Sequence, residues 1–254
     1  MSNIIEEVPV VILAGGKGLY LDASGERVAK GNVLIKNEPL VSLVLKCYVR
    51  SGFRKFFISG SYQLNSTIEC FQKALGFKRH DENVFKGPIA GELVNITFID
   101  SGLTALTADR LRSVAPYIRR AKHFAVTYSD TIAKIDLAAS FKFHLENNKV
   151  ATLTAAHLPT RFRVLGLRPG ESIVRGFGKA FLHGHYVNGG FYFFNENIWS
   201  SDLLGDSSKQ TLETDILDLL AARENLAAVM HEGPWQHLDS ERDIPRLQEI
   251  AELL

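Results

Sequence analysis

The chain has 254 residues, 46% hydrophobic and 22% charged, with a net charge of +1. That length suits one large α/β domain, and the balanced charge leaves no basic field for nucleic acid. No apolar run approaches membrane-span length, two cysteines make no disulfide framework, and the short acidic N-terminus does not read as a signal peptide. The expectation is a protein of a reducing compartment, most simply the cytoplasm, with no membrane partner.

In chain order, Val10-Val11-Ile12-Leu13-Ala14 reads as a buried strand. It runs straight into Gly15-Gly16-Lys17-Gly18. Glycines let backbone N–H groups approach a ligand, and at the carboxyl end of a strand the usual ligand is a phosphate. An ordinary strand-to-helix turn is the alternative reading. Residues 19–37 are polar and irregular, either a loop or a pair of short extended pieces. Pro39 opens a helix that Gly52 ends, and 55–59 is a second buried strand. Asn65 or Ser66 can cap a helix running to Gly76. Residues 77–92 show no period and read as a surface excursion. Residues 93–100 alternate as a strand, and 106–119 are helical with the arginines on the polar side. Residues 123–128 are a strand ending in Ser129-Asp130, Asp136 caps a helix to Asn147, and 150–155 is a further strand. Three strand-like runs follow at 162–167, 172–177 and 186–194, which read as an antiparallel addition. Helical patterns at 211–223 and 242–254 flank a strand at 226–231. Repeated β-α-β units predict a mostly parallel sheet with right-handed crossovers.

Asp130, at the carboxyl end of a strand, belongs on the edge where the glycine loop lies. A carboxylate beside phosphates calls for a divalent cation, and Asp239, after an aromatic stretch, is a second oxygen donor. Alternatively, Asp130 caps a turn and Asp239 caps the last helix. Lys30 and Lys179 are flanked by small residues that let a lysine reach into a cleft. Asn188-Gly189-Gly190 marks either close approach of the backbone to a ligand or a bulge. The histidines lack zinc spacing, Ser129 lacks a nucleophile elbow, and the glycine loop is neither a Walker A motif nor a dinucleotide fingerprint.

Six stretches, in order, resemble the sugar-1-phosphate nucleotidyltransferases, most closely their glucose-1-phosphate cytidylyltransferase members. Ile12 to Gly18 is similar to the opening L-A-G-G-x-G. Ile99-Asp100-Ser101-Gly102-Leu103 with Thr107 and Arg110 is similar to V-D-T-G-L with T-G-G-R. Thr127-Tyr128-Ser129-Asp130 resembles T-Y-G-D, and residues 151–155 with Arg161-Phe162 resemble A-T-L-T-A with R-F. Val187 to Phe191 resembles I-N-G-G-F, and Trp235 to Asp239 resembles W-Q-P-M-D.

The resemblance implies a Rossmann-like mixed sheet flanked by helices, with a small antiparallel addition. It implies one domain over 1–254, a nucleotide-binding half at about 1–156 and a sugar-phosphate half at 157–254. It implies transfer of a nucleotidyl group, with CTP favoured, to a phosphorylated acceptor, with Mg²⁺ as cofactor and release of pyrophosphate. By position, Asp130 and Asp239 would hold Mg²⁺, and Lys30 would contact the triphosphate. Lys179 would grip the sugar phosphate. Leu13, Ala14, Gly15, Gly16, Gly18, Arg110 and Asp130 would line the nucleotide site, and Asn188 with Gly189 the sugar end. Self-association is a further expectation from this family.

The departures are equally specific. Leu19-Tyr20-Leu21 stands where the family has Thr-Arg-Leu, and tyrosine does not replace a bidentate cation. The P-K-P motif has become Lys30-Gly31-Asn32, and E-K-P has become Gly178-Lys179-Ala180. Asp109 puts an acid where a base or phosphate would lie. Two readings follow: an active transferase with a changed substrate, and a nucleotide-binding partner or scaffold subunit that has lost turnover.

Overall fold

The structure, a computed structural model, describes residues 2–15, 20–21, 25, 27–157, 186–205 and 209–254. Its elements begin with α1 (Ser2–Glu7), β1 (Pro9–Leu13), β2 (Tyr20–Leu21), β3 (Arg27–Val28), β4 (Leu34–Ile35), β5 (Glu38–Pro39) and α2 (Leu40–Val49). β6 (Lys55–Gly60), α3 (Leu64–Ala74), β7 (Lys78–Arg79), β8 (Val84–Ile89), β9 (Glu92–Asp100) and α4 (Thr107–Ile118) follow. Then come β10 (His123–Tyr128), β11 (Thr131–Ala133), α5 (Leu137–Asn147), β12 (Ala151–His157) and β13 (Tyr186–Asn195). The chain continues through α6 (Asp218–Ala222), β14 (Leu226–His231), β15 (Trp235–His237) and α7 (Ile244–Ala251).

All five residues of β1 are buried, because the strand sits at the centre of a nine-stranded sheet ordered β14-β12-β13-β10-β1-β6-β9-β8-β7. β1 runs parallel to both β10 and β6, with Leu13 opposite Tyr128 and Ser59. Val10, Val11 and Ile12 are wholly inaccessible to solvent. Burial of that kind contributes about 1.5–3 kcal/mol per side chain, so β1 is a main source of the sheet's cohesion. The apolar face of α2 covers one side of β1 and α4 covers the other. Among the described residues, no helix is long and apolar enough to cross a membrane.

The expected mixed, mostly parallel sheet flanked by helices is present, with three small two-stranded sheets beside it. The run at 186–194 is not an appended piece. β13 lies inside the main sheet, antiparallel to β10 on one side and β12 on the other. Its start therefore lies at the edge where β10 ends. The runs at 162–167 and 172–177 lie outside the described residues.

Residues 77–92 are also part of the sheet. β8 pairs antiparallel with β9, and β7 closes the edge. Phe77, Phe85 and Ile89 are buried, and the Phe85 and Phe98 rings meet edge-to-face at 5.3 Å. The charged residues between them mask the alternation in the sequence. Neither Asn65 nor Ser66 caps α3: the helix already starts at Leu64, behind Gln63 in a left-handed conformation with φ of 56°. Asp136 does cap α5, accepting a hydrogen bond from the Ala139 N–H at 2.9 Å.

At the amino end of β10, away from the edge just described, His144 is buried against Phe141 and Phe193. One of its nitrogens meets His123 Nδ1 at 3.2 Å and the other the Thr152 hydroxyl at 2.9 Å. Burial lowers the His144 pKa to about 4, and proximity to His123 adds to this. Burial also lowers His123, with Lys122 adding to the effect and Glu196 opposing it. The unfolded chain therefore takes up protons below pH 6.5 that the folded chain refuses. Stability from His144 is complete above pH 6.5 and is lost as pH falls toward 4, by up to about 3 kcal/mol. Urea midpoints at pH 7.5 and 5 should differ clearly in the wild type and much less in His144→Gln.

Candidate functional site

The sheet's carboxyl edge collects the ends of β1 and β10 and the start of β13. Ala14 leaves β1 hydrogen-bonded to the Ser59 carbonyl at 2.7 Å, and the Ser129 N–H returns to the Leu13 carbonyl at 3.2 Å. Gly15 follows, and the reason for a glycine there is visible. A Cβ on it would lie 2.0 Å from Arg110 Nε, so the guanidinium lies directly over the glycine backbone. Arg110 is thus not on the polar side of α4. It is half-buried, and its Nε finds no hydrogen-bond partner among the described residues. Burial lowers its pKa, against the pull of Glu213 and Asp109. Gly16 and Gly18 lie outside the described residues, as does Lys179.

Asp109 is engaged within the protein. Its carboxylate holds Arg112 at 2.6 Å and accepts from the Leu106 N–H at 3.1 Å, at the start of α4. Its charge is taken up by the helix terminus and a neighbouring cation.

Past the end of β10, Asp130 meets Lys30. The ammonium lies 3.6 Å from Asp130 Oδ2 and 3.4 Å from Asp239 Oδ1, so one cation bridges two carboxylates. Asp239 reaches this point because β11 pairs antiparallel with β15, Thr131 opposite His237. The Leu238 N–H then donates to the Asp130 carbonyl at 2.8 Å. Burial pushes the Asp130 carboxyl above its ordinary range, while Lys30 and His237 pull the other way. The alternative that Asp239 caps the last helix fails. The residue at the start of α7 is Asp243, and its carboxylate turns back to accept from the Asp239 and Ser240 N–H groups at 3.0 and 2.8 Å, boxing the short turn that Ser240 opens. The Asp239 side chain stays 77% exposed.

Two carboxylates are hard oxygen donors of the kind Mg²⁺ takes, so the residues fit that ion. Among the described residues, no group of three or more acidic, histidine or cysteine side chains could hold a metal by itself. An ion here would need further oxygens from a ligand, which is how phosphate-binding Mg²⁺ sites are usually completed.

Asn188-Gly189-Gly190 forms a bulge: the pairing of β12 with β13 shifts register between Leu153 and Ala155. A Cβ on Gly189 would lie 2.8 Å from the Thr154 carbonyl, and Gly190 has φ of +77°. The Gly189 carbonyl accepts from Trp235 Nε1 at 2.8 Å. The bulge fronts a cavity of about 270 Å³ that Lys30, Asp130, Asn188 and Gly189 all line. The structure therefore brings Lys30, Asp130, Asp239, Asn188 and Gly189 to one cleft, with Gly15 and Arg110 on the same edge.

Sequence reasoning missed Glu213, Tyr192 and His237 in the cavity wall. Tyr128 was only a letter in a motif. Glu213 sits on a stretch of wide helix, Leu212–Leu217, where its type and spacing give no signal. Its place depends on contacts with α4 and β10.

Residues 9–244 match the nucleotidyl transferase family. The chain is 33% identical over 249 residues to a glucose-1-phosphate cytidylyltransferase of Salmonella typhimurium, covering 95% of each. It is 26% identical over 238 residues to a mannose-1-phosphate guanyltransferase of Yarrowia lipolytica, covering 92% of this chain and 61% of that one. The solved structure of HddC from Yersinia pseudotuberculosis complexed with GMP-PN shares the fold. It aligns at a TM-score of 0.66 and 20% identity over 95% of this chain and 98% of that one.

The contact between Gly15 and Arg110 makes a prediction. Gly15→Ala forces the guanidinium away, so Gly15→Ala and Arg110→Ala remove the same contact. Their combined loss in urea-unfolding stability should fall short of the sum of the single losses by about 0.5–3 kcal/mol. Additive losses would mean that the two residues do not touch.

Proposed function

The chain belongs to the nucleotidyl transferase family, and on that footing we propose that it transfers a cytidylyl group from CTP to a sugar 1-phosphate. The observation that carries the reading is the Lys30 ammonium held between Asp130 and Asp239 at the sheet's carboxyl edge. The choice of CTP rests on the cytidylyltransferase relatives. The reading belongs to the cytoplasm, where nucleoside triphosphates are made.

In the proposed reaction a phosphate oxygen of the acceptor attacks the α-phosphorus of CTP. The new P–O bond forms as the bond to the β-phosphate oxygen breaks, and pyrophosphate leaves with the electron pair. Such chemistry is mostly positioning and charge neutralisation. The Gly15 backbone lets a phosphate come close, and Arg110 above it supplies a fixed positive charge. Lys30 needs only to turn from the carboxylates to meet phosphate oxygens. Lys179, carried over from the resemblance, is proposed to hold the acceptor's phosphate. Asp130 and Asp239 would hold Mg²⁺, which when bound neutralises phosphate oxygens and draws charge off the leaving group. Asn188 and Gly189 face the acceptor.

Tyr20 stands where the family's arginine would serve the triphosphate. It lies on β2, opposite Val28, which stands two residues before Lys30. A neutral hydroxyl leaves the developing charge on pyrophosphate less well met. By analogy with lost oxyanion donors, that costs roughly 10²–10³ in rate. A slow enzyme is therefore expected.

The test is pyrophosphate release from each nucleoside triphosphate with Mg²⁺ and a panel of sugar 1-phosphates. CTP should give the highest rate, Tyr20→Arg should raise kcat by about 10-fold or more, and Asp130→Asn should lower it by about 10²-fold or more. If CTP binds by calorimetry but no acceptor yields pyrophosphate in the wild type or in Tyr20→Arg, the protein is a nucleotide-binding partner rather than a transferase.

A further inference from the structure

The cavity beside Asp130 has two different walls. Lys30, Asp130 and His237 make one. Tyr128, Tyr192, Asn188 and Glu213 make the other, and apart from Asn188 the reaction proposed above gives them no task.

The hydrogen bonds of this second wall converge on Glu213. The Tyr128 hydroxyl donates to Glu213 Oε1. The Thr107 hydroxyl donates to Oε2 at 2.6 Å and itself accepts from the Leu212 N–H at 2.7 Å. The Tyr128 and Tyr192 hydroxyls lie 3.3 Å apart, and the Asn188 side chain, which accepts from the Gly190 N–H at 3.1 Å, lies beside them in the same wall. Glu213 is thus anchored from the end of β10 and the first turn of α4 at once. Burial raises the pKa of both tyrosines, so each stays a neutral hydroxyl.

The inventory of lone pairs limits what this wall can bind. An ionised carboxylate only accepts, and each oxygen has room for about two donors. Among the described residues each Glu213 oxygen has one donor, which leaves acceptor capacity for the cavity it lines. A ligand group placed there must donate. Hydroxyl groups do so at no cost in charge, whereas a second anion would meet the Glu213 carboxylate, which the nearby Arg110 guanidinium offsets only in part. The volume, about 270 Å³, is near the small end for ligand pockets and suits one sugar ring.

We propose that Glu213 determines acceptor specificity: it accepts hydrogen bonds from hydroxyls of a neutral monosaccharide ring whose phosphate lies toward Lys30 and Asp130. It also disfavours acceptors whose ring carries a carboxylate. This deepens the transferase reading and rests on it. Tyr128 and Thr107 are positioning residues, since they act by holding the carboxylate.

Glucose 1-phosphate and its singly deoxygenated analogues are titrated by calorimetry into the wild-type protein, Glu213→Ala and Glu213→Gln. Mg²⁺ and a saturating non-hydrolysable CTP analogue are present throughout. Loss of hydrogen bonds to a charged acceptor predicts that Glu213→Ala weakens glucose 1-phosphate about 10–100-fold. It should leave affinity for the CTP analogue within about twofold, which also shows that the variant folds. For the analogue lacking the hydroxyl that Glu213 reads, wild type and variant should bind alike. Glucuronic acid 1-phosphate should bind the wild type poorly and gain in Glu213→Gln.

Equal weakening of every analogue would mean that Glu213 is only structural, and the proposal falls. Unchanged binding in Glu213→Ala, or no binding of glucose 1-phosphate to the wild type, also overturns it. Pyrophosphate release is measured in parallel. Turnover without the analogue pattern overturns this proposal and leaves the transferase reading; the analogue pattern without turnover overturns the transferase reading alone.

Discussion

The site depends on one long-range pairing, the short antiparallel ladder of β11 with β15. It carries Asp239 from near the end of the chain to the mouth of β10, where Asp130 waits. Two carboxylates close together in a partly shielded cleft repel one another, and they persist only with a cation between them. Lys30 is that cation, at 3.6 and 3.4 Å. It comes from a third region of the chain, on the single helical turn Lys30–Asn32 packed beside α2 and α3. Three distant segments thus meet through one ammonium, and any ligand that draws Lys30 away must supply charge in its place.

The sheet explains why the meeting point lies where it does. β1 and β10 run parallel, so their carboxyl ends open on one edge, and helices on both faces leave only that edge for a ligand. β13 runs the other way, so its first residues, not its last, arrive there. This is how Asn188 and Gly189, far along the chain from Gly15, come to share a cleft edge with it. The bulge at Gly189–Gly190 lets β12 and Trp235 press close while the strand keeps its place in the ladder.

The cleft therefore has two electrostatic characters. At one end a single ammonium is shared by two carboxylates, an arrangement of charge that a ligand can redistribute. At the other, Glu213 is held still by two hydroxyl donors. A rearrangeable end suits chemistry in which charge moves, and a fixed end suits recognition of a shape. Arg110, stacked over Gly15, ties the glycine edge to the same helix that supports Glu213 through Thr107.

Some of this was legible from residues alone. Val10 to Leu13 is a buried strand by composition, and Asp136 caps α5 as its type requires, whereas Gly15 read as room for a ligand and makes room for the Arg110 guanidinium. Those signals are local: each depends on a few neighbouring residues and on backbone sterics. The surface reading of 77–92 failed because Phe77, Phe85 and Ile89 are buried by partners that sequence spacing does not reveal. The expected cap at Asn65 or Ser66 failed because Gln63 begins the helix from a left-handed conformation. From residues alone came the sheet class, which follows from the alternation of strand and helix patterns. That Lys30 bridges Asp130 and Asp239, that Arg110 covers Gly15, and that Glu213 lines the same cavity came from the tertiary fold. Those contacts join segments far apart in the chain, and their geometry is set by strand order and register, which no local pattern encodes.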